Sequence, residues 1–292
     1  MPRFVACSAR RDVRVVDLLG LVRLDYEVRR LKSVHSARIS LGHIASLLGD
    51  FPATGLHSNN VLEYVVVRRQ QGAAEATIRI ELALLRRGYI LGVRQRLVPR
   101  AAVPDDLPRI EADKLMVRRG FLDEEEVRKV CLYLESDLAD LVRFLFASAW
   151  RKGEACSLVW SWVDDDAIRL PTSKNGQPRI LALAGDIAEV IAVRRSRAVG
   201  EYVFHRHGKP LQDFRTAWKV ACERAGLPGR LVHDLRRSAI KRLIEGGVDQ
   251  RTAMSISGHR TVSTFQRYQI VDVRRQVEAL EAVKRPQARE GR

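Results

Sequence analysis

Cysteine is scarce in this chain of 292 residues: Cys7, Cys131, Cys156 and Cys222 stand far apart and form no Cys-x-x-Cys pair. That spacing argues against a disulfide framework and against a cysteine-ligated zinc site, and it reads as four reduced thiols, mostly buried. No stretch approaches the roughly 18 apolar residues of a membrane-spanning helix, and the first residues lack the apolar core of a signal peptide, so a cytoplasmic chain is expected. Acidic residues are also in deficit. Asp and Glu number 35 against 51 Lys and Arg, which leaves a net charge of +16. A solvated basic surface with no particular partner would give the same figure, yet an excess of this size makes a polyanion the natural partner, nucleic acid first. With 46% hydrophobic and 29% charged residues, the chain is too apolar for a disordered protein, and its length suits two cores better than one.

What is present begins with helical periodicity. Across residues 13–95 the apolar positions recur at helical spacing, as in Ile39, Ile44, Leu47 and Leu48, then Val61, Tyr64 and Val65, then Ile78, Leu82 and Leu85; the pattern predicts a small helical bundle. Asn60 followed by Glu63 suggests a capping box at a helix start. Arg68, Arg69, Arg79 and Arg86 decorate these helices and are candidate phosphate contacts, with solvated helix faces as the plain alternative. Pro99, Pro104 and Pro108 among small and acidic residues mark an extended linker.

A second domain follows. Leu122, Val127, Val130 and Leu134 predict a helix opened by the acidic run 123–126, which suits the positive end of the helix dipole, and more helix is expected through Trp150. Residues 167–170 and 179–183 read as short strands joined through the Asn175-Gly176 turn signal. Helices are predicted again from about Asp186, over 211–225, over 234–245 with Gly246 and Gly247 closing it, and over 261–271. The segment 273–283 is amphipathic, and the tail 284–292 is basic. The expected fold is mainly α with a small β-sheet: a helical bundle over residues 1–98, a linker over 99–112 and an α+β domain over 113–292.

Cleaving a phosphodiester without a metal calls for cationic forks on the non-bridging oxygens, an in-line nucleophile and an acid for the leaving oxygen. His233 and Arg236 stand three apart, on one face of a predicted helix, with Leu235 free to point into the core. Ser257-Gly258-His259 follows, and Tyr268 comes nine residues after His259. This order, His-x-x-Arg, Gly-His and then Tyr, resembles the C-terminal signature of the tyrosine recombinase or phage integrase family. Ala149-Trp150-Arg151-Lys152-Gly153-Glu154 is similar to the family's first arginine element, with Ala149 where Gly is usual. Lys174, directly before Asn175-Gly176, matches its hairpin lysine. Residues 24–96, including 72–78 and the helix after them, resemble its helical, SAM-like core-binding domain.

The resemblance implies an integrase-type catalytic domain in which Arg151, Arg236 and His259 hold the scissile phosphate. Tyr268 would attack with His233 as base, and Lys174 would protonate the leaving 5′ oxygen. It implies a 3′-phosphotyrosyl intermediate, with neither ATP, divalent metal nor other cofactor. Glu154, one turn beyond Arg151, is expected to support that guanidinium, and Arg237 and Lys241 to touch the DNA backbone. His205 and His207, two ligands with no cysteine or carboxylate cluster nearby, make a poor metal site and are expected in a loop. Trp150, Trp160, Trp162 and Trp218 read as packing residues.

The implied partners are double-stranded DNA recombination sites and, in the synaptic complex, a homo-tetramer assembled from monomers; an accessory DNA-bending or directionality factor is compatible with such an assembly. Val277, Leu280 and Val283 would form the apolar seam of a C-terminal helix docking on a neighbour. The implied setting is the bacterial or phage-infected cytoplasm, at the nucleoid. With the helical pattern starting at Val13, no separate arm-site domain is expected, which would make this a short member. Two other functions fit the same residues. A type IB topoisomerase shares the tyrosine chemistry, and a non-catalytic DNA-binding regulator would keep the fold.

Overall fold

The computed structural model describes residues 12–104, 108, 110, 120–171, 178–265, 277 and 281. The chain divides into two compact units, residues 1–116 and 117–292. Among the described residues the first unit holds four α-helices, α1 (Val15–Val28), α2 (Val34–Leu48), α3 (Ser58–Gln70) and α4 (Glu75–Arg94), followed by a 3-10 turn at Arg100–Ala102. On α1 the buried residues Val15, Leu18, Leu19 and Val22 recur at helical spacing and form one apolar stripe. Its partner α4 approaches through Gly88 and Gly92. A Cβ at Gly92 would come within 2.6 Å of Leu18 Cδ2, and one at Gly88 within 3.1 Å of the Leu18 carbonyl oxygen. Val98 is buried in the same core, and Val103 and Ile110 pack against it.

Two expectations change in this unit. Helix α3 starts at Ser58 rather than after Asn60, because Asn60 Oδ1 accepts from the His57 backbone N–H at 3.0 Å and so serves the first turn from inside the helix. Ile39 points outward, and Ala37, Leu41, Ile44 and Leu48 make the buried stripe of α2.

The second unit opens with α5 (Glu124–Cys131), where Asp123 Oδ1 accepts from Glu126 N at 2.7 Å and Glu126 Oε2 from Asp123 N at 2.9 Å, a reciprocal cap. Then come α6 (Ser136–Ser148), α7 (Lys152–Cys156) and a 3-10 turn at Trp160–Trp162. Strands β1 (Ala167–Leu170) and β2 (Arg179–Ala182) pair antiparallel, with Leu170 opposite Arg179; Asn175 and Gly176 lie outside the described residues. Next are α8 (Gly185–Ser196), β3 (His205–Arg206), β4 (Lys209–Pro210), α9 (Arg215–Arg224), α10 (Val232–Glu245), α11 (Gln250–Ser257) and α12 (Val262–Phe265). The main core of this unit buries Phe144, Trp150, Phe204 and Trp218, while Trp160 and Trp162 pack at its edge. A smaller cluster of Ala149, Ala239, Ile240, Ala253 and Phe265 joins α10, α11 and α12. Cys131, Cys156 and Cys222 are buried free thiols.

His205 departs from the expected loop. It lies on β3, and His207 and Gly208, with φ of 50° and 77°, make the turn to β4. Two successive positive φ values are what a tight two-residue hairpin turn requires, here supplied by a His-Gly pair.

Candidate active site

Helix α6 ends at Ala149, whose φ of 54° and ψ of 20° lie in the left-handed region. That reversal explains a preference for glycine at this position. It turns the chain so that Trp150 drops into the core and Arg151 becomes the N-cap of α7. Glu154, buried one turn on, accepts from Arg151 Nη1 at 3.0 Å and from the Arg151 backbone N–H at 3.2 Å. Burial alone would raise the Glu154 pKa, but the charges of Arg179 and Arg151 overcome it and hold the carboxyl below its ordinary value.

From α10 come His233 and Arg236. Arg236 is 2% exposed, and its Nη1 donates to the carbonyls of Ala149 at 2.5 Å and Ser257 at 2.7 Å. Asp234 caps the same helix by accepting from Leu231 N at 2.8 Å. Leu235 is fully buried, as its place between the two site residues requires.

The third contribution is the corner after α11. Gly258 has φ of 69° and ends that helix in the left-handed conformation, which brings His259 back toward Arg236. Arg236 Nη2 lies 3.1 Å from His259 Nε2, and Arg151 Nη2 donates to the Gly258 carbonyl at 3.4 Å. Ser257 Oγ donates to the Ala253 carbonyl at 2.7 Å and sits 2.8 Å from His259 Nδ1. With its proton so committed, the hydroxyl accepts from Nδ1–H and leaves Nε2 as the acceptor facing Arg236.

Burial, then the charges of Arg236 and Arg151, push the His259 pKa down to about 3, so the ring is neutral. His233 is lowered as well, by burial and then by the charge of Arg236. A neutral imidazole can accept a proton. A cavity of about 490 Å³ is lined by His233 and Arg236, by Leu145, Trp150 and Trp218, and by the cations Lys152, Arg215 and Lys219.

One member of this cluster was not anticipated from sequence: Arg179, at the start of β2. It is 7% exposed, and it donates to Glu154 Oε2 at 2.7 Å and to the Ser257 carbonyl at 2.9 Å.

The structure thus gathers Arg151, Glu154, His233, Arg236 and His259. Lys174 and Tyr268 lie outside the described residues. Phe265, three residues before Tyr268, is fully buried and edge-on to the His259 ring at 5.8 Å between centroids. Other expected DNA contacts separate. Arg68 is not available to a phosphate: it is 6% exposed, and its Nε and Nη2 donate to the two carboxylate oxygens of fully buried Glu81 at 3.0 and 2.9 Å. Tyr64 Oη also donates to Glu81, at 2.8 Å, and His43 Nδ1 lies 2.9 Å away. A buried carboxylate persists only when paired in this way.

Arg237 makes looser contacts. It is 8% exposed, lies 5.2 Å over the Phe121 ring and pairs with Asp234 at 3.8 Å. Lys241 shares Phe121 and pairs with Glu245 at 3.1 Å. Arg69, Arg79 and Arg86 are exposed, with Arg69 held by Glu75 at 2.7 Å. Both ring nitrogens of His205 face backbone N–H groups, of Val199 and Gly208, and no group of three or more His, Cys, Asp or Glu placed to hold a metal occurs among the described residues.

The sequence profile of the phage integrase family matches residues 120–275, just over half of the chain. The shufflon-specific DNA recombinase of Escherichia coli is 30% identical over 200 residues, covering 66% of this chain and 50% of that protein. The tyrosine recombinase XerC of Roseiflexus sp. is 25% identical over 232 residues, covering 72% and 73%. Among solved structures, a lambda integrase tetramer bound to a Holliday junction superposes with a TM-score of 0.78 at 18% identity, over 90% of this chain and 79% of that one. The Tn1549 transposon integrase in complex with circular intermediate DNA gives 0.68 at 13% identity, over 92% and 99%. At those identities the likeness is one of fold.

Proposed function

The chain belongs to the phage integrase family, and from that membership we propose that it is a site-specific tyrosine recombinase that cuts and rejoins DNA. The observation that carries this reading is the convergence of Arg151 from the start of α7, Arg236 from within α10 and His259 from the turn after α11 on the corner at Ser257 and Gly258. Two guanidinium forks so held would grip the non-bridging oxygens of one phosphate and bind more strongly as negative charge builds in the transition state. His259 would donate from Nε2 once Arg236 turns to the phosphate, a change of tautomer that the Ser257 hydroxyl can follow because it both donates and accepts.

Tyr268 is the proposed nucleophile. Its phenol, ordinarily with a pKa of about 10, would lose its proton to neutral His233 as the oxygen attacks phosphorus. The bond to the 5′ oxygen breaks, Lys174 protonates that oxygen, and a 3′-phosphotyrosyl strand remains. Reversal by another 5′ hydroxyl rejoins the strand without ATP, because the phosphodiester energy stays in the phosphotyrosine; no step calls for a divalent metal. Glu154 would hold Arg151 in line.

Residues 1–98 are proposed as a helical DNA-binding domain joined by 99–112 to the catalytic domain, 113–292. Arg69, Arg79 and Arg86 would meet phosphates. The proposed substrate is a pair of double-stranded recombination sites exchanged within a tetramer that assembles from monomers on DNA. Val277, 47% exposed, would contribute to the seam between neighbours. A bacterial or phage-encoded protein acting at the nucleoid fits this role. The test is a nicked suicide duplex built from the DNA that flanks the gene. Denaturing electrophoresis should show a covalent protein–DNA adduct that Tyr268→Phe abolishes; an undiminished adduct in Tyr268→Phe removes Tyr268 as nucleophile, and no wild-type adduct on the bound site removes the recombinase reading.

A further inference from the structure

Arg179 touches both halves of the phosphate pocket without facing the cavity itself. Its Nη2 donates to Glu154 Oε2 at 2.7 Å, and Glu154 Oε1 in turn holds Arg151. Its Nη1 donates to the Ser257 carbonyl at 2.9 Å, the oxygen that also receives Arg236 Nη1 at 2.7 Å. Each of the two phosphate-gripping arginines therefore shares an acceptor with Arg179. The guanidinium carbon sits 4.4 Å from the Trp150 ring centroid, and Trp150 is the fully buried residue directly before Arg151.

On the remaining side is Gly258. A Cβ there would lie 2.2 Å from Arg179 Nη1, so the corner before His259 closes directly on this guanidinium. Arg236 is as deeply buried but lines the cavity; Arg179 does not, and its two acceptors and the ring beside it tie it to its neighbours.

We infer that Arg179 is a positioning residue: from the strand that follows the Lys174 segment, it fixes Glu154 and the Ser257 carbonyl together and so sets the spacing of Arg151, Arg236 and His259. The inference rests on the reading of this pocket as a phosphate site. Removing the bridge frees Glu154 to swing with Arg151 and leaves the Ser257 carbonyl to Arg236 alone. The pocket keeps its two phosphate forks and loses their alignment.

The experiment compares wild type with Arg179→Met, which keeps the bulk, and Arg179→Lys, which keeps the charge but lacks the planar fork that spans the two acceptors. With the suicide duplex, the adduct rate at saturating DNA should fall at least ten-fold in Arg179→Met and less in Arg179→Lys. The DNA concentration giving half-maximal rate should stay within about two-fold, because Arg179 is not a DNA contact. Glu154→Gln combined with Arg179→Met should lose no more than Arg179→Met alone, since both act through one network. A wild-type rate in Arg179→Met at saturating DNA overturns the inference, as does a loss that follows the unfolded fraction measured by circular dichroism.

A second readout needs no cleavage. Inorganic phosphate should shift the His259 ring signals of ¹⁵N-histidine-labelled wild type, with an apparent Kd at least ten-fold weaker in Arg179→Met. No response in wild type, or an equal response in the variant, overturns the inference. A wild type that answers phosphate but forms no adduct defeats the recombinase reading and leaves the positioning role standing.

Discussion

His259 is 9% exposed, with burial and the neighbouring guanidinium groups holding its pKa at about 3. In the unfolded chain the same ring takes up a proton as the pH falls through about 6.5. The folded state does not follow until about pH 3, so this stability is complete above pH 6.5 and is lost as the pH falls between those values, at up to about 1.4 kcal/mol per pH unit. Urea unfolding at pH 7 and pH 5 should therefore show wild type losing about 1 to 2 kcal/mol more than His259→Asn. Carboxylates held low, Glu81 and Glu154, weaken both proteins alike; equal losses in the two would mean that His259 is not held neutral. Arg68 poses the opposite question, a charge kept inside. Arg68→Ala strands the Glu81 carboxylate and should cost about 3 kcal/mol in denaturant unfolding, while Arg68→Met with Glu81→Leu together should recover most of it. A loss below about 0.5 kcal/mol for the single variant would show that water already satisfies Glu81.

Helix ends rather than helix centres build the pocket. Arg151 caps α7, Gly258 terminates α11, and Ala149 closes α6 with a left-handed residue. Gly258→Ala should cost about 1 kcal/mol for the left-handed backbone alone, and the new methyl must displace Arg179, whose Nη1 would lie 2.2 Å away. The expected result is a lower melting temperature and an adduct rate reduced at least ten-fold; an unchanged rate would mean that the corner can shift without disturbing His259. The spacing of Arg151, His233, Arg236 and His259 was legible because each falls within a short local pattern. The burial of Arg179 and of Arg68, the latter expected at the surface as a phosphate contact, is not legible in the same way although the same periodicity contains both. On β2 the buried positions are Arg179 and Leu181, with Ile180 outward, so alternation from Leu181 places Arg179 inside. On α3 the run Val61, Tyr64 and Val65 leads at helical spacing to Arg68. Reading arginine as a surface residue outweighed the pattern, and the partners that make burial tolerable, Glu154 and Glu81, are distant in sequence. The β3 and β4 hairpin escaped for a related reason: each strand has two residues, too short for any alternation to register.

At the scale of the whole chain not every arginine faces outward: Arg68, Arg179 and Arg194 are buried against carboxylates, and because each is matched by an acid the excess of 16 positive charges is carried by other residues. Affinity for DNA should then depend on a smaller exposed set, such as Arg79, Arg86, Arg215 and Lys219, and not on net charge as such. Each phosphate neutralised releases condensed counterions, so the logarithm of the affinity falls with the logarithm of salt by about 0.9 per contact. Roughly six contacts would give a slope near −5 and a loss of about a thousand-fold between 50 and 200 mM salt. Fluorescence anisotropy on a labelled duplex measures this directly, and Arg86→Gln should flatten the slope by about one contact, whereas Arg68→Met with Glu81→Leu should leave it unchanged because that guanidinium is already committed to Glu81. A slope that stays flat in wild type would remove the basic surface as the source of affinity, and one that drops equally with both substitutions would mean that Arg68 reaches DNA after all.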